Sequence, residues 1–230
     1  MIFNFSHQKG GTGKSTIAYN VAKVFIDKGY KVKLLDLDIQ NTCVSLNELR
    51  EVPLDYIINV ESDELLIDLI NNTKEDEVII IDSGGFDSSL TRLAIMGADI
   101  NITPVADKVT EILAVIKKYS FILEEIEQQT NEKVNSYVLL NKIHLFASNF
   151  NHIIGMIENQ KRLQLITTST DEKKEVPLVI RERAIYDKSL IEGKTVFETP
   201  KLKGHEDASN EIGKLADQLL KLIKGNQYAN

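Results

Sequence analysis

A glycine-rich segment with two lysines, residues 9–16, carries the side chains best suited to chemistry in this chain. It reads KGGTGKST and lies between a short apolar run and a longer amphipathic one. Glycines let backbone N–H groups turn towards a phosphate, and the N-terminus of a following helix adds the positive end of its dipole. In such a loop Lys14 would reach the β- and γ-phosphates of a nucleotide, and the Ser15 hydroxyl would bind Mg²⁺.

The segment departs from the ordinary phosphate-loop pattern at one position. That pattern, G-x-x-x-x-G-K-[ST], requires glycine where this chain has Gln8, which is followed by Lys9. Residues 8–16 thereby resemble the deviant Walker A motif of the ParA/MinD ATPases. The resemblance implies a homodimer in the ATP-bound state, in which Lys9 reaches the partner's phosphates and neutralises charge that develops during phosphoryl transfer. It also implies that ATP is bound by Gly10, Gly11, Thr12, Gly13, Lys14, Ser15 and Thr16.

Two acidic residues follow the apolar run at 32–35. Residues 36–40 read DLDIQ and resemble the D-x-D-P-Q element of the same family, with Ile39 in place of the proline. By that resemblance, Asp38 orients or deprotonates the attacking water and Asp36 supports the Mg²⁺ shell. A carboxylate beside a γ-phosphate can position water, although alignment and electrostatics matter more than basicity. Loss of the proline leaves the carboxylate in place but can change the rigidity of the loop.

A third acid and an amide follow later apolar runs. Asp82 comes directly after four apolar residues, which is the arrangement of a Walker B motif. We therefore expect Asp82 to hold Mg²⁺ through water. Glycines at 84 and 85 permit close approach to a γ-phosphate. Asn141 ends another apolar run, and the resemblance implies that it contacts adenine, because an amide can donate and accept hydrogen bonds at once.

Short apolar runs alternate with longer amphipathic runs along the whole chain. Predicted strands lie at residues 2–5, 32–35, 78–81, 100–103, 134–140 and 163–167, and predicted helices at 14–28, 63–71, 88–96, 107–128, 149–159 and 205–224. The alternation predicts an α/β fold with one doubly wound, mostly parallel sheet and helices on both faces, as in P-loop NTPases of the deviant Walker A class. No linker or repeat is evident, so we expect residues 1–230 to form a single P-loop ATPase domain.

Composition and charge exclude several classes of protein. With 43% apolar residues, 27% charged residues and a formal charge of −7, the chain is typical neither of disorder nor of a basic protein that coats nucleic acid. The single cysteine, Cys43, allows no intrachain disulfide and no cysteine-rich metal site. The N-terminus lacks a signal-peptide pattern, and no apolar run approaches the roughly 20 residues that span a bilayer. We therefore expect a cytoplasmic protein.

The C-terminal third resembles the tail of short, ParF-like plasmid partition ATPases, which lack an N-terminal helix-turn-helix domain. Because the sequence starts at the first predicted strand, we expect no site-specific operator binding by the chain itself. The resemblance implies nonspecific DNA binding by the ATP-bound dimer. Residues 158–203 contain ten Lys or Arg against eight Asp or Glu. The candidate DNA contacts are Arg181, Arg183, Lys188, Lys194, Lys201 and Lys203, with Lys161 and Arg162 as a second choice; a solvated mixed-charge surface is the alternative for each.

The last predicted helix has a broad apolar stripe flanked by lysines. The stripe contains Ile212, Leu215, Leu219, Leu220, Leu222 and Ile223. MinD-like relatives bind membranes through a basic amphipathic helix of this kind. A helix at the edge of a sheet also needs such a stripe for packing. We favour packing and expect no membrane partner.

Together the motifs predict a Mg²⁺-dependent ATPase of the ParA type, with ATP and Mg²⁺ as cofactors. The resemblance implies that an adaptor of the ParB or centromere-binding type stimulates hydrolysis and releases the DNA. A plasmid, chromosome or other cargo would thereby be segregated or positioned, with the ATP-bound form on the nucleoid. The alternatives are a MinD-like membrane-associated positioning ATPase and a metabolic ATPase of the same superfamily. A lone cysteine cannot supply the iron–sulfur cluster of an electron donor.

Overall fold

The computed structural model describes residues 1–169 and 174–227. The strands are β1 (Ile2–Phe5), β2 (Lys31–Asp36), β3 (Ile57–Asn59), β4 (Glu77–Asp82), β5 (Ile100–Val105), β6 (Ser136–Ile143), β7 (Leu163–Leu165), β8 (Thr167–Ser169), β9 (Glu175–Pro177) and β10 (Val179–Arg181). The α-helices are α1 (Lys14–Asp27), α2 (Thr42–Glu48), α3 (Asp63–Asn71), α4 (Ser89–Gly97), α5 (Val109–Ala114), α6 (Ser120–Thr130), α7 (Asn151–Glu158), α8 (Ala184–Leu190) and α9 (His205–Gln227). A π-helical turn, Val115–Tyr119, joins α5 to α6, and a 3₁₀ turn, Val196–Glu198, precedes α9.

Eight of these strands form one parallel sheet. Its order is β10-β6-β5-β1-β4-β2-β3, and β7 pairs with the first half of β6 while β10 pairs with the second half. The short strands β8 and β9 form a separate antiparallel pair. The predicted fold class, a doubly wound parallel sheet, is therefore confirmed.

Helices cover both faces of the sheet. Along β4, Val78 and Ile80 pack on the side of α1 and α9, whereas Ile79 and Ile81 pack on the side of α3 and α4. A further cluster joins α5, α6 and α7 to the second face. All four residues are 0% exposed, so the all-apolar run reflects burial on two sides.

Three predicted elements differ from those observed. The helix predicted at 107–128 is interrupted by the π-helical turn, which places the buried Tyr119 hydroxyl against the Ser6 hydroxyl. The strand predicted at 163–167 is divided into β7 and β8, which pair with different partners. The strand predicted at 134–140 begins and ends later, and its last residues contact the glycine-rich loop.

Several short elements were not predicted at all. They are β3, β9, β10, α2 and α8, each three to seven residues long. Elements of this length show too few repeats of the apolar pattern to be recognised.

The apolar stripe of α9 packs against the rest of the protein. Ile212, Leu215, Leu219 and Ile223 are buried, and Leu220 and Leu222 are partly buried against the same cluster. The prediction that this stripe serves packing is confirmed. None of the helices in the two described stretches combines the length and apolar character needed to cross a membrane.

A turn at Gly193 ties the C-terminal part of the chain to α1 and α2. The Gly193 carbonyl accepts hydrogen bonds from the Tyr19 hydroxyl at 2.6 Å and from Arg50 Nη1 at 2.8 Å. Arg50 also forms an ion pair with Glu198. Gly193 has φ of 64°, and a Cβ atom there would lie 2.2 Å from the Leu46 carbonyl oxygen. Only glycine fits this turn without movement of the backbone.

We expect Gly193→Ala to lower the free energy of unfolding by more than about 2 kcal/mol, because left-handed strain adds to a backbone clash. Gly204→Ala is the matched control, since Gly204 has φ of 90° but its Cβ would meet only Ile185 at 3.8 Å. Strain alone should cost this control about 1 kcal/mol. Urea denaturation measures both, and equal losses in the two variants would contradict the steric argument.

Candidate functional site

The carboxyl ends of three central strands bring the predicted site residues to one edge of the sheet. β4 pairs with β1 and β2, so that Asp82 lies opposite Phe5 on one side and opposite Asp36 on the other. The glycine-rich loop follows β1 and enters α1 at Lys14. In open α/β sheets ligands bind at this edge.

The loop backbone is suited to an anion. Gly11 and Gly13 have φ of 80° and 90°, a left-handed conformation that residues with side chains rarely adopt. Gly13 is the N-cap of α1, which has neither a side-chain cap nor an acidic residue in its first turn. Within the described ranges, the buried Thr12 hydroxyl has no hydrogen-bond partner. An uncapped helix N-terminus with an unpaired hydroxyl beside it fits a phosphate group.

The two lysines of the loop lie in different environments. Lys14 is 4% exposed, whereas the Lys9 side chain is 54% exposed. Lys9 Nζ lies 3.3 Å from Glu111 Oε1, and the other oxygen of Glu111 accepts a hydrogen bond from Ala106 N at 3.0 Å. Burial alone would raise the pKa of Glu111, but the Ala106 N–H and Lys9 outweigh it and lower that pKa. Glu111 is therefore an ionised partner for Lys9 that the sequence analysis did not identify.

His7 packs beneath the loop. Its Nδ1 accepts a hydrogen bond from the backbone N of Lys9 at 2.8 Å. Burial and the nearby Lys14 lower the pKa of His7 to about 4, so the imidazole is neutral near pH 7. His7 thus supports the loop without adding a third positive charge to it.

Asp82 is a buried carboxylate with an unused oxygen. Its Oδ1 has no hydrogen-bond partner in the part of the chain that the structure describes, while the Cys43 thiol donates to Oδ2 at 3.4 Å. Burial raises the pKa of Asp82 to about 7, although the Ser15 hydroxyl and Lys14 act to lower it. A cation would stabilise this carboxylate, and a carboxylate beside a hydroxyl is an oxygen donor set that Mg²⁺ prefers. Asp82 and Ser15 therefore fit a magnesium ion.

Asp36 holds the loop that carries Asp38. Its two oxygens accept hydrogen bonds from the backbone N atoms of Asp38, Cys43 and Val44 at 3.1, 2.8 and 3.1 Å. Burial nevertheless raises the pKa of Asp36 above its ordinary value. The contacts give Asp36 a positioning role at the start of α2, and its place in a Mg²⁺ shell stays a prediction.

Asp38 is half-buried beside the second glycine-rich segment. Its Oδ1 accepts a hydrogen bond from Gln40 N at 3.0 Å. A Cβ atom on Gly84 would lie 3.7 Å from the Asp38 Cα, so the two segments are in close contact. The neighbouring Ile39 is 72% exposed. The structure thus places Asp38 at the mouth of the site.

The end of β6 contacts the loop through two successive side chains. Asn141 Nδ2 donates to the Thr12 carbonyl at 2.7 Å, and Lys142 Nζ donates to the Gly11 carbonyl at 2.7 Å. The adenine contact expected of Asn141 stays a prediction. No motif in the sequence marks Lys142, and its position beside Asn141 is the signal that the sequence offers for it.

Residues 4–196 match the sequence model of a family described as the CobQ/CobB/MinD/ParA nucleotide binding domain. The chain belongs to this family. It is 26% identical over 137 residues to Protein ParA of Rhizobium radiobacter, an alignment that covers 59% of this chain and 61% of that protein. It is 30% identical over 82 residues to an uncharacterized ATP-binding protein of Methanocaldococcus jannaschii, covering 36% of this chain and 27% of that protein. Both alignments span less than two thirds of the relative.

Several solved structures share the fold of this chain. The MinD cell division protein of Aquifex aeolicus matches with a TM-score of 0.68 at 17% identity, covering 96% of this chain and 97% of that one. A Cyanothece McdA variant in complex with ATP matches with a TM-score of 0.63 at 16% identity, covering 95% of both chains. Cobyrinic acid a,c-diamide synthase from Mycobacterium smegmatis, with bound ADP and magnesium, gives 0.65 at 14% identity, covering 98% of this chain and 96% of that one.

The candidate DNA contacts of this ParA/MinD-family chain fall into two groups. Four of the arginines and lysines are already engaged: Arg183 with Asp207 and Glu211, Arg162 with Glu127, Lys194 with Glu192, and Arg181 with two backbone carbonyls. The other four are Lys161, Lys188, Lys201 and Lys203, which are exposed and have no carboxylate within ion-pair distance in the described ranges. Arg181 and this second group therefore keep charges that no carboxylate in the described ranges neutralises.

We expect Asp82→Asn to stabilise the chain near pH 8 when Mg²⁺ and nucleotide are absent. Burial raises the pKa of Asp82 from 3.8 to about 7. The folded state therefore binds more protons than the unfolded state between these values, and this contribution to stability is lost as the pH rises through them. The amide carries no charge, so the variant should gain on the order of 4 kcal/mol near pH 8 and little near pH 4.

Urea denaturation with a chelator at both pH values measures this difference. A gain in the variant that did not depend on pH would contradict the cost assigned to the ionised carboxylate.

Proposed function

We propose that the chain is a Mg²⁺-dependent ATPase of the ParA type. Its ATP-bound dimer binds DNA without sequence preference, and an adaptor of the ParB or centromere-binding type stimulates hydrolysis and resets it. The result is the segregation or positioning of a plasmid, chromosome or other cargo. The observation that carries the proposal is the contrast between the buried Lys14 and the exposed Lys9 on one loop. We propose further that residues 1–230 form one cytoplasmic domain, nucleoid-associated with ATP.

Different groups of the loop bind different parts of a triphosphate. Backbone N–H groups of residues 10–16 bind phosphate oxygens, and Lys14 neutralises charge from within the site. Ser15 and Asp82 hold Mg²⁺, with Asp36 behind them fixing the neighbouring loop. The metal supplies neutralisation of the β- and γ-phosphate charge. The Asn141 carbonyl oxygen is available to an adenine amino group, since its Nδ2 is engaged by Thr12.

Lys9 is the residue that couples two subunits in this mechanism. In the single chain its ammonium is paired with Glu111 at 3.3 Å. The Lys9 side chain is 54% exposed, so water can solvate its ammonium when it leaves, and the cost of breaking the pair falls on the buried Glu111 carboxylate. In the dimer, Lys9 would contact the phosphates of the nucleotide bound to the second subunit instead of Glu111. Dimer formation therefore depends on the triphosphate.

DNA binding in this proposal uses the exposed lysines without acidic partners. Lys188 lies in the last turn of α8, Lys201 and Lys203 lie in the segment between α8 and α9, and Lys161 is the further candidate. The chain as a whole carries a charge of −7, which would repel DNA. Two copies in a dimer double the number of lysines that can act together, so that the overall repulsion can be overcome locally.

The MinD-like membrane alternative has no specific support from the contacts. The apolar stripe of α9 is buried against α1 and the sheet, so membrane insertion of that stripe would require the helix to detach. We therefore expect no binding to anionic vesicles while α9 stays packed.

We expect the chain to bind a random-sequence DNA duplex at low salt with ATP or a slowly hydrolysed ATP analogue, and not with ADP. Fluorescence anisotropy of the labelled duplex measures this, and sedimentation in the same three nucleotide states reports dimerisation. DNA binding that is independent of the nucleotide would contradict the proposed switch. Dimerisation with ATP but no DNA binding in any state, together with binding to anionic vesicles, would favour the membrane alternative.

Matched lysine variants locate the DNA contacts within the same experiment. Lys201→Ala combined with Lys203→Ala removes four lysines from the dimer, so it should weaken binding and reduce the slope of log K against log salt by up to about 4, because each phosphate contact contributes about 0.9. Lys74→Ala combined with Lys133→Ala is the control, since these exposed lysines line a groove at the opposite edge of the sheet. An equal effect of both double variants would show that only net charge matters.

We expect Asp38→Ala to retain ATP binding and ATP-dependent dimerisation but to lose turnover by about 10²- to 10³-fold, because the attacking water is no longer positioned. Phosphate release under saturating ATP measures turnover, and sedimentation measures the dimer. Lys14→Ala is the comparison, since it should abolish productive ATP binding itself. Rapid hydrolysis by the Asp38 variant would refute the role of this carboxylate.

A further inference from the structure

A bulge near the end of β6 lies against the phosphate loop. Lys142 has φ of 54°, in the left-handed region that lysine rarely adopts. The pairing with β10 shifts at the same place, because Val179 lies opposite Leu140 while Arg181 lies opposite Ile143. One extra residue of β6 is therefore accommodated there. Bulges of this kind often occur next to active sites, where they redirect a side chain.

The bulge directs two donors onto consecutive loop carbonyls. Lys142 Nζ lies 2.7 Å from the Gly11 oxygen, and Asn141 Nδ2 lies 2.7 Å from the Thr12 oxygen. A Cβ atom on Gly13 would lie 2.3 Å from Asn141 Nδ2 and 3.5 Å from Lys142 Cε, so the bulge packs directly on the glycine that opens α1. Lys142 has no carboxylate within ion-pair distance in the described ranges. Its ammonium group instead donates its hydrogen bond to the loop.

These two contacts fix the direction of two peptide N–H groups. Peptide bonds in the described chain are trans, so each carbonyl and the N–H that follows it lie in one plane and point in opposite directions. Lys142 holds the Gly11 carbonyl on the side of β6, which turns the Thr12 N–H away from β6. Asn141 holds the Thr12 carbonyl in the same way and thereby turns the Gly13 N–H.

We infer that Lys142 is a positioning residue for phosphate binding. Together with Asn141 it orients two peptide groups so that their N–H donors face the anion, and the left-handed backbone at Lys142 is what brings its ammonium within reach of the Gly11 carbonyl. This role deepens the proposed function and rests on it. Flexible glycines at 11 and 13 would otherwise allow these peptide planes to turn.

Lys142→Met tests the role, because it retains most of the side-chain length and removes the ammonium donor. The probes are Mg·ADP and inorganic pyrophosphate, each titrated by calorimetry. We expect both dissociation constants to rise about tenfold, with KM for ATP rising more than kcat falls, and Lys142→Arg to recover most of the affinity. Wild-type affinity of the Met variant for both probes, or a loss confined to ADP, would overturn the inference.

A glycine variant separates positioning from stability. Lys142→Gly relieves the left-handed backbone, so we expect its Tm to equal or exceed that of the wild type while its pyrophosphate affinity falls at least tenfold. Asn131→Gly is the control, since Asn131 has φ of 58° at the end of α6, away from the loop, and its affinity should not change. Unchanged affinity of the Lys142→Gly variant would overturn the inference alone, whereas a wild-type chain that binds neither probe would overturn the proposed function with it.

Discussion

The site depends on holding charged side chains out of water at one edge of a parallel sheet. Lys14 is 4% exposed, and Asp36 and Asp82 are not exposed at all. Burying such groups is unfavourable unless hydrogen bonds or opposite charges compensate. The three lie together because β1 and β2 flank β4 in register and the loop enters α1 beside them. The two helical layers supply the buried apolar area that offsets this cost.

Hydrogen bonds and opposite charges within the chain offset the cost of these buried groups only in part where a ligand would bind. Asp36 is satisfied by three backbone N–H groups, yet one oxygen of Asp82 and the hydroxyl of Thr12 have no partner in the described ranges. The N-terminus of α1 also lacks a cap. Buried unsatisfied groups are rare and costly in folded proteins. The unpaired atoms of Thr12 and Asp82 lie where an anion and a cation would bind, so stability is given up there for affinity towards these ligands.

Sequence reasoning predicted the loop and the strand-end acids because both follow from local patterns. An apolar run ending in Asp82, or glycines ahead of Lys14, can be recognised without knowing any long-range contact. The partners of these residues could not be predicted in the same way. Glu111 meets Lys9 from 102 positions away and Lys142 meets Gly11 from 131 positions away, and both contacts depend on side-chain directions set by a short helix and a bulge. Short elements such as α2 escaped prediction because seven residues show little periodicity.

The contact between Lys9 and Glu111 has consequences beyond the loop. Glu111 is buried, so departure of Lys9 leaves a carboxylate whose remaining hydrogen bond in the described structure comes from the Ala106 N–H. A buried charge that loses its counter-ion favours a shift of the element that carries it. That element, α5, is short and continues into a π-helical turn whose Tyr119 hydroxyl contacts Ser6, just before the loop. On the proposed mechanism, the movement of Lys9 towards a second subunit is therefore coupled to α5 by two contacts. One is the ion pair between Lys9 and Glu111, and the other is the contact between Ser6 and Tyr119.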